Sequence, residues 1–201
     1  MSQIPALVGG NAIDHGISMF VNHGGTSSKK MHVGGQANAD VAAGSTTATS
    51  DAENECAEYK IPKNTLVAGS TIRVRWVTVT SASVSTDTLI TRLRFGSHTT
   101  AAANTECAVN TAVDQVNADF SCGDMIIQIR TAGTGGTAVA FGSIADSDAL
   151  GSKLVSAQFE PSFAVNTTVA NYVNVTTLFS TTSANLATTQ AFVVDIVNPN
   201  T

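Results

Sequence analysis

Four histidines are the first residues of this chain that could do chemistry, because imidazole binds metal ions and transfers protons near neutral pH. They are His15, His23, His32 and His98. The first three follow one another at spacings of eight and nine residues, too wide for the short ligand spacings of a local metal site. We therefore predict surface or interface histidines and no metal site.

Two acidic clusters could supply catalytic carboxylates or cation ligands. The first comprises Asp51, Glu53, Glu55 and Glu58, and the second is Asp146-Ser-Asp148. Glycoside hydrolysis needs two carboxyl groups at a set separation across a sugar, and sequence neighbours on one solvated loop do not provide that. The second cluster resembles a fragment of a calcium loop but lacks the glycine and the distal glutamate of an EF-hand. Neither cluster predicts an active site.

The motifs that activate a nucleophile or bind phosphate are absent from the sequence. It contains no G-x-S-x-G elbow and no Walker loop. Gly133-Thr-Gly-Gly136 is rich in glycine, but it joins two predicted strands and so opens no helix for a phosphate. Trp76 and the eight phenylalanines are expected to fill the core. We predict no catalytic residue, no cofactor and no enzymatic activity.

The three cysteines, Cys56, Cys107 and Cys122, do not form a metal-binding or redox motif. They share no C-x-x-C spacing, and an odd number cannot complete an internal disulfide framework. We expect them to act as small buried hydrophobic residues. Spacing alone leaves a single Cys107–Cys122 bridge open.

Composition narrows the class of partner. Of the 201 residues 43% are hydrophobic but only 12% are charged, and the formal net charge is −5. An acidic chain lacks the basic face that nucleic-acid binding requires. No apolar run reaches the roughly 18 residues of a membrane span. Met1-Ser-Gln-Ile-Pro5 has no signal-peptide pattern, so we expect synthesis in a cytoplasm. We expect neither nucleic acid nor a membrane as a partner.

The elements that would position any site are short strands. Between residues 56 and 197 apolar and polar residues alternate repeatedly, with turn signals between the runs, and the chain holds 27 Thr and 19 Ser. The predicted strands are Cys56–Ile61, Thr71–Thr80, Thr88–Phe95, Met125–Arg130, Ala138–Phe141, Val155–Phe159, Tyr172–Phe179 and Phe192–Val197. This pattern predicts an all-β fold, a single antiparallel β-sandwich resembling a jelly roll.

Alternation also predicts which side chains face inward. The expected core residues are Ile72, Val74, Leu89, Leu93, Ile127, Ile129, Val173 and Val175. In the strand that begins at Thr71, the apolar phase shifts after Trp76 to Val77 and Val79. Such a shift predicts a β-bulge or bend within that strand.

Residues 1–50 differ from the rest and predict an extended N-terminal arm, followed by one sandwich domain over residues 51–201. Glycine doublets recur in the arm, and residues 42–50 are a low-complexity stretch of Ala, Gly, Ser and Thr. Such a segment has little share in a core. We expect a partner or a neighbouring subunit to hold it in place, with added backbone hydrogen bonds.

Four segments resemble virion structural proteins of tailed bacteriophages. Residues 59–75, YKIPKNTLVAGSTIRVR, resemble the recurrent opening "IPANTL…G…IRIR" of that family. The similarity continues through residues 85–96, the turn at 129–136 and the closing strand at 190–195. It spans most of residues 56–197 but not the arm. Lys63 departs from the alanine usual at that position, and the region from Cys107 to Cys122 has no counterpart.

The resemblance implies a phage particle protein with a β-sandwich body. The expected function is that of a cement or decoration protein, which binds the capsid surface and stabilises the head shell. A surface with so few charges suits this function, because symmetric contacts that are linked to one another would cover it. Its partners would be the major capsid protein and further copies of itself, as a homotrimer. The alternative is a receptor- or glycan-binding module of a tail or head fibre. Exposed aromatic residues in a concave site would favour that alternative.

Overall fold

The computed structural model describes residues 52–81, 87–114, 116–147, 153–180 and 185–199, together with the backbone of short segments at 19–20, 30–31, 35–40 and 44–48. Fourteen strands lie in these residues, and Ala101–Ala103 forms a single 3-10 turn. In chain order the strands are β1 Met19–Phe20, β2 Lys30–Met31, β3 Gly35–Asp40, β4 Gly44–Ala48, β5 Asn54–Ile61, β6 Thr71–Ser81, β7 Thr88–Gly96, β8 Thr105–Val109, β9 Val113–Asp114, β10 Phe120–Thr131, β11 Gly136–Ser147, β12 Lys153–Val165, β13 Asn171–Phe179 and β14 Asn185–Val197.

Two antiparallel sheets make up the body, which confirms the predicted all-β sandwich. The larger sheet has the order β12-β11-β10-β6-β14-β3, with β4 also paired to β14. The smaller sheet has the order β5-β13-β7-β8, with β9 also paired to β7. The last strand thus lies between β3 and β6, and β13 lies between β5 and β7. This interleaving is typical of a jelly roll, here extended at one edge of the larger sheet by the β11–β12 hairpin.

The core lies between the two sheets and holds every side chain that alternation predicts there. Ile72, Val74, Leu89, Leu93, Ile127, Ile129, Val173 and Val175 are all fully buried. Trp76 is also buried, as expected, but the prediction that all eight phenylalanines fill the core is wrong, because Phe141 and Phe159 are exposed on the outer face of the larger sheet. Phe95 of the smaller sheet and Phe163 of the larger one meet edge to face, with ring centroids 6.3 Å apart. These contacts hold the layers together, and the side of each sheet that points away from the core is its outer face.

The predicted bulge in β6 is wrong. Burial alternates along β6 without a slip, so Thr78 and Thr80 face inward and Val77 faces out. The pairing of β6 with β10 is regular throughout, whereas its pairing with β14 shifts between Thr189 and Ala191 on β14. The extra residue of the bulge therefore belongs to β14, and β6 keeps its period of two.

Thr78 can occupy an inward position because it belongs to a row of polar side chains inside the sandwich. Asp146, Ser121, Thr78 and Thr189 lie opposite one another across β11, β10, β6 and β14, and all four are buried. The hydroxyl oxygens of Thr78 and Thr189 lie 3.4 Å apart. One end of the interior is thus lined by hydroxyl and carboxyl groups.

Part of the predicted arm contributes backbone to the larger sheet. Gly35–Asp40 (β3) pairs with β14 around Val193, and Gly44–Ala48 (β4) pairs with its first half. The added backbone hydrogen bonds expected for the arm are thus made with β14 of the same chain. The domain boundary between residues 50 and 51 stays a prediction.

Several strands are longer than the sequence pattern indicates, and the pattern misses six others, which are β1 to β4 in the predicted arm and β8 and β9 in the body. Strands β10, β11, β12 and β14 extend the predicted segments to 12 or 13 residues. The segments Thr105–Val109 (β8) and Val113–Asp114 (β9) have no counterpart among the predicted strands, because each is too short to show alternation.

Candidate interaction face

Among the residues that the structure describes, those considered for chemistry do not converge. Asp51 lies outside the described part. His98 is exposed just after the end of β7, and the other three histidines lie outside the described residues. Asp146 is buried in the polar row, while Asp148 also lies outside the described part. Within the described residues no group of three or more His, Cys, Asp or Glu could hold a metal ion.

The cysteines lie apart. Cys107 is in the core, and burial raises the pKa of its thiol. Cys122 lies on the outer face of the opposite sheet and is only partly covered. None of the three cysteines forms a disulfide, so the Cys107–Cys122 bridge left open by the sequence is not made. Cys56 and Cys107 are buried as expected, whereas Cys122 is not.

The first acidic cluster meets a pair of arginines on the outer face of the smaller sheet. Arg94 donates to both carboxylate oxygens of Glu53, Nε to Oε1 at 2.5 Å and Nη2 to Oε2 at 2.8 Å. Arg92 Nε donates to Glu106 Oε2 at 2.9 Å. Burial opposes ionisation of Glu53, but hydrogen bonds from Arg94 and Thr176 and the charges of both arginines outweigh it and lower the pKa. These carboxylates are therefore bound to arginines rather than aimed at a substrate.

The same face carries two further glutamates. Asn174 is fully buried, and its Nδ2 donates to Glu55 Oε2 at 2.8 Å and to Glu58 Oε2 at 3.2 Å. Burial and the neighbouring charge of Glu58 raise the pKa of Glu55. This face thus carries four glutamates, Glu53, Glu55, Glu58 and Glu106. Against them stand the two arginines and Lys60, whose Nζ lies 5.8 Å from the centroid of the Tyr172 ring.

The outer face of the larger sheet is electrically balanced instead. Arg73 donates to both carboxylate oxygens of Asp124 on β10, at 2.9 and 2.5 Å. Arg75 Nη2 donates to Asp195 Oδ2 on β14 at 2.9 Å. The hydrogen bond from Arg73 lowers the pKa of Asp124. Both arginines of the Arg73/Arg75 pair are thus matched by an acid on a neighbouring strand.

Between these ion pairs lies an open groove of about 440 Å³, here called the outer groove. Its lining comes from four adjacent strands. It includes the small or medium apolar residues Val77, Cys122, Ala145, Ala191 and Val193 together with Trp76, Gly123, Ser143, Arg75, Asp124 and Asp195. Val77 lies opposite Cys122 on one side and Ala191 on the other, and Cys122 lies opposite Ala145. The groove therefore combines small apolar side chains with the charged groups of the two ion pairs.

A protruding apolar strip adjoins the groove on the hairpin extension of the larger sheet. It consists of Phe141 on β11 and of Val155 and Phe159 on β12, which are 40%, 68% and 67% exposed. Phe141 lies opposite Phe159, and Val155 lies opposite the groove residue Ala145. Large apolar side chains this exposed and this close together indicate an interaction surface.

Sequence reasoning finds neither the groove nor the strip. It predicts Val155–Phe159 as a strand with no stated function, and it assigns Val77 to a bulge. The sequence offers no local signal for either surface, because two exposed apolar positions on an edge strand look the same in sequence as two buried ones. Only the neighbouring strands decide which face is covered.

Comparisons with known proteins place no family name on this arrangement. No model of a protein family matches the chain, and no curated protein is similar to it. Among the described residues, no helix is long and apolar enough to cross a membrane. The candidate site therefore stands on its geometry alone.

Proposed function

We propose that this chain is a structural protein of a tailed-bacteriophage virion, a cement or decoration protein that stabilises the head shell. The observation that carries the proposal is the outer face of the larger sheet, where an exposed apolar strip adjoins a neutral groove. A surface of this kind is costly to leave in water and gains by being covered. The resemblance of four segments to virion proteins supplies the setting.

The proposed role of the chain is contact with other proteins rather than catalysis. Its carboxylates at Glu53, Asp124 and Asp195 are bound to arginines. A carboxylate held in this way is a poor general base, because the guanidinium already occupies the oxygen atoms that would accept a proton from a substrate. We propose no enzymatic activity, no cofactor and no catalytic or metal-binding residue. The formal net charge of −5 also weighs against nucleic acid as a partner.

The proposed partners are the major capsid protein and further copies of the same chain, arranged as a homotrimer on the capsid surface after synthesis in the host cytoplasm. Contacts repeated around a symmetry axis act together, so each one can be modest. Charged residues make up only 12% of the chain, which suits a surface largely covered by neighbours.

The exposed aromatic side chains support a second candidate, a receptor- or glycan-binding module of a tail or head fibre. Phe141 and Phe159 are the kind of exposed rings on which a sugar could stack. They lie beside the groove rather than within it, and phenylalanine offers no hydroxyl or indole N–H to a glycan. The protein-contact role is therefore the stronger of the two.

Particles assembled without this protein separate the candidates. For a cement protein, they should release their DNA at lower temperature or under milder osmotic shock, and adding the purified protein back should restore their resistance. Adsorption to host cells should be unchanged. Particles that are equally robust but fail to adsorb would overturn the cement role in favour of the fibre module.

A further inference from the structure

We propose that the interior of the sandwich contains a binding site for water, in which a water molecule bridges Asp146 of the larger sheet and Thr91 of the smaller one. The site lies between the sheets and shares no residue with the outer groove or the apolar strip. The inference concerns the isolated chain, so it is independent of the proposed function.

A polar layer crosses the interior and divides the hydrophobic core into two clusters. On β7, Leu93 belongs to the larger cluster and Leu89 to the smaller one. On β14, Phe192 and Ala187 are divided between the two clusters in the same way. The buried threonines between the clusters are Thr91 on β7, Thr177 on β13 and Thr189 on β14. Because Thr189 belongs to the row that also contains Asp146, the layer extends from one sheet to the other.

Four buried side chains of this layer carry polar atoms that have no hydrogen-bond partner among the described residues. The atoms are Thr91 Oγ1, Asn110 Nδ2, Ser121 Oγ and Asp146 Oδ1, and none of the four residues is more than 4% exposed. Seven such atoms occur in the described part of the chain, so more than half of them lie here. Buried polar atoms normally have a partner, and leaving one without a partner is costly. Four together therefore indicate a bound molecule.

Strand pairing and backbone hydrogen bonds bring the four residues together. Ser121 on β10 lies directly opposite Asp146 on β11. Asn110 follows β8 and is fixed to Thr91, because its Oδ1 accepts from the Thr91 amide at 2.7 Å and its own amide donates to the Thr91 carbonyl at 3.2 Å. Strand β8 packs against β11, so Asn110 links the two pairs.

The groups are neighbours, but their free atoms are not hydrogen-bonded to one another. Burial raises the pKa of Asp146, and the nearby side chains of Ser121 and Asn110 offset part of this rise. Even so, neither Ser121 Oγ nor Asn110 Nδ2 makes a hydrogen bond to the carboxylate. A molecule that bridges the groups would satisfy all of them without a change in the backbone.

The chemistry of the four atoms favours water over other ligands. An ionised carboxylate only accepts hydrogen bonds, an amide nitrogen only donates them, and the two hydroxyl groups can do either. A water molecule can donate two hydrogen bonds and accept two, so a single molecule matches the whole set. The Asn110 amide cannot turn its oxygen towards a cation, because Oδ1 already accepts from Thr91. The Asp146 carboxylate excludes an anion.

A crystal structure of the full chain at high resolution tests the site directly. We expect a water within hydrogen-bond distance of at least three of the four atoms, as is typical of buried water. In solution, magnetic relaxation dispersion of water ²H and ¹⁷O counts the long-lived water molecules of the protein. The double variant Thr91→Val/Ser121→Val should lose at least one of those found in the wild type, because it removes both hydroxyl groups and fills part of the space.

Thr78→Val is the matched control for the relaxation experiment. Thr78 is buried in the same layer, but its hydroxyl oxygen lies 3.4 Å from that of Thr189 and is not one of the unpartnered atoms. The number of long-lived waters should therefore stay at the wild-type value. Circular dichroism and melting curves show whether each variant is folded. The single variant Thr91→Val, which replaces a hydroxyl by a methyl group, should shorten the residence time of the water if the double variant does not fold.

Three results would overturn the inference. The first is a crystal structure in which the four atoms bond directly to one another or to protein groups, with no density between them. The second is density surrounded by five or six oxygen atoms at the short distances of a bound cation. The third is an equal number of long-lived waters in the wild type and in a folded double variant.

Discussion

The indole ring of Trp76 lies directly over Gly123 on the neighbouring strand and occupies the space that a β-carbon at position 123 would need. Trp76 is among the largest fully buried side chains of the core, at 1% exposure. The two residues therefore act as one packing unit at the centre of the larger sheet, beneath the outer groove.

Replacing Gly123 by alanine should destabilise the protein by about 1–3 kcal/mol, because the added methyl group displaces a tightly packed ring. Urea unfolding followed by tryptophan fluorescence measures the effect at its source, since Trp76 is the single tryptophan. Gly135→Ala is the control, because a β-carbon there would meet nothing within 4 Å beyond its chain neighbours. Equal stability of the two variants would contradict the packing argument.

Asp146→Asn should stabilise the protein by about 1 kcal/mol at pH 7. Asp146 is 1% exposed, and its Oδ1 has no hydrogen-bond partner among the described residues. Burial raises the pKa of this carboxyl above its ordinary value of 3.8, and the nearby side chains of Ser121 and Asn110 offset the rise only in part. Its contribution to stability is therefore greatest below pH 3.8 and is lost as the pH rises through the folded-state pKa.

The increase in the free energy of unfolding caused by Asp146→Asn should accordingly become smaller as the pH falls from 7 to 4. Chemical unfolding across that range measures it. Asp119→Asn is the control, because Asp119 is also buried but accepts hydrogen bonds from the Val116 amide at 2.7 Å and the Ser147 hydroxyl at 2.9 Å. That change should destabilise. A loss of similar size in both variants at pH 7 would refute the interpretation of Asp146.

Glu53→Gln should destabilise the protein by about 1–2 kcal/mol at pH 7, because it leaves the guanidinium of Arg94 half-buried with a weaker partner. The pKa of Glu53 is lowered below its ordinary value of 4.5. Its stabilisation is therefore complete above pH 4.5 and is lost as the pH falls through the folded-state pKa.

Thermal unfolding of the wild type and of Glu53→Gln should consequently converge in acid. Asp124→Asn is the control, because it removes the bidentate partner of Arg73 from a pair whose side chains are both 47% exposed. Its effect on the melting temperature should be much smaller than that of Glu53→Gln, since water solvates the separated charges. The reverse order of the two effects would count against the importance of burial in the Glu53 cluster.

Removing residues 1–50 should weaken the body more than removing residues 1–34. The longer deletion takes away β3 and β4, which pair with β14 and cover its edge. An uncovered edge exposes backbone N–H and C=O groups and invites pairing between molecules. Melting temperature and light scattering of the two truncated chains test this, with the full chain as reference; indistinguishable behaviour would mean that β3 and β4 contribute little.

Local sequence was sufficient to predict the class of fold and the inward residues of its central strands. Positions such as Ile72, Leu93, Ile127 and Val175 alternate with polar neighbours, and a strand turns every second side chain to the same face. The period of two is a local property, so it can be read without knowing the neighbouring strands. The same reasoning failed at Val77, where hydropathy suggested a slip that the pairing with β10 does not make.

The tertiary structure alone decided which distant residues meet and which faces remain open. Arg73 is 51 residues from Asp124 in sequence, and Arg75 is 120 from Asp195. Nothing local encodes the order in which strands lie side by side, because it depends on the free energy of the whole packed sandwich. For the same reason Phe159 gave no sign in the sequence of being exposed. The sequence by itself determined a two-layer β-sandwich with a known inward side; the order of its strands created the outer groove and left the apolar strip beside it.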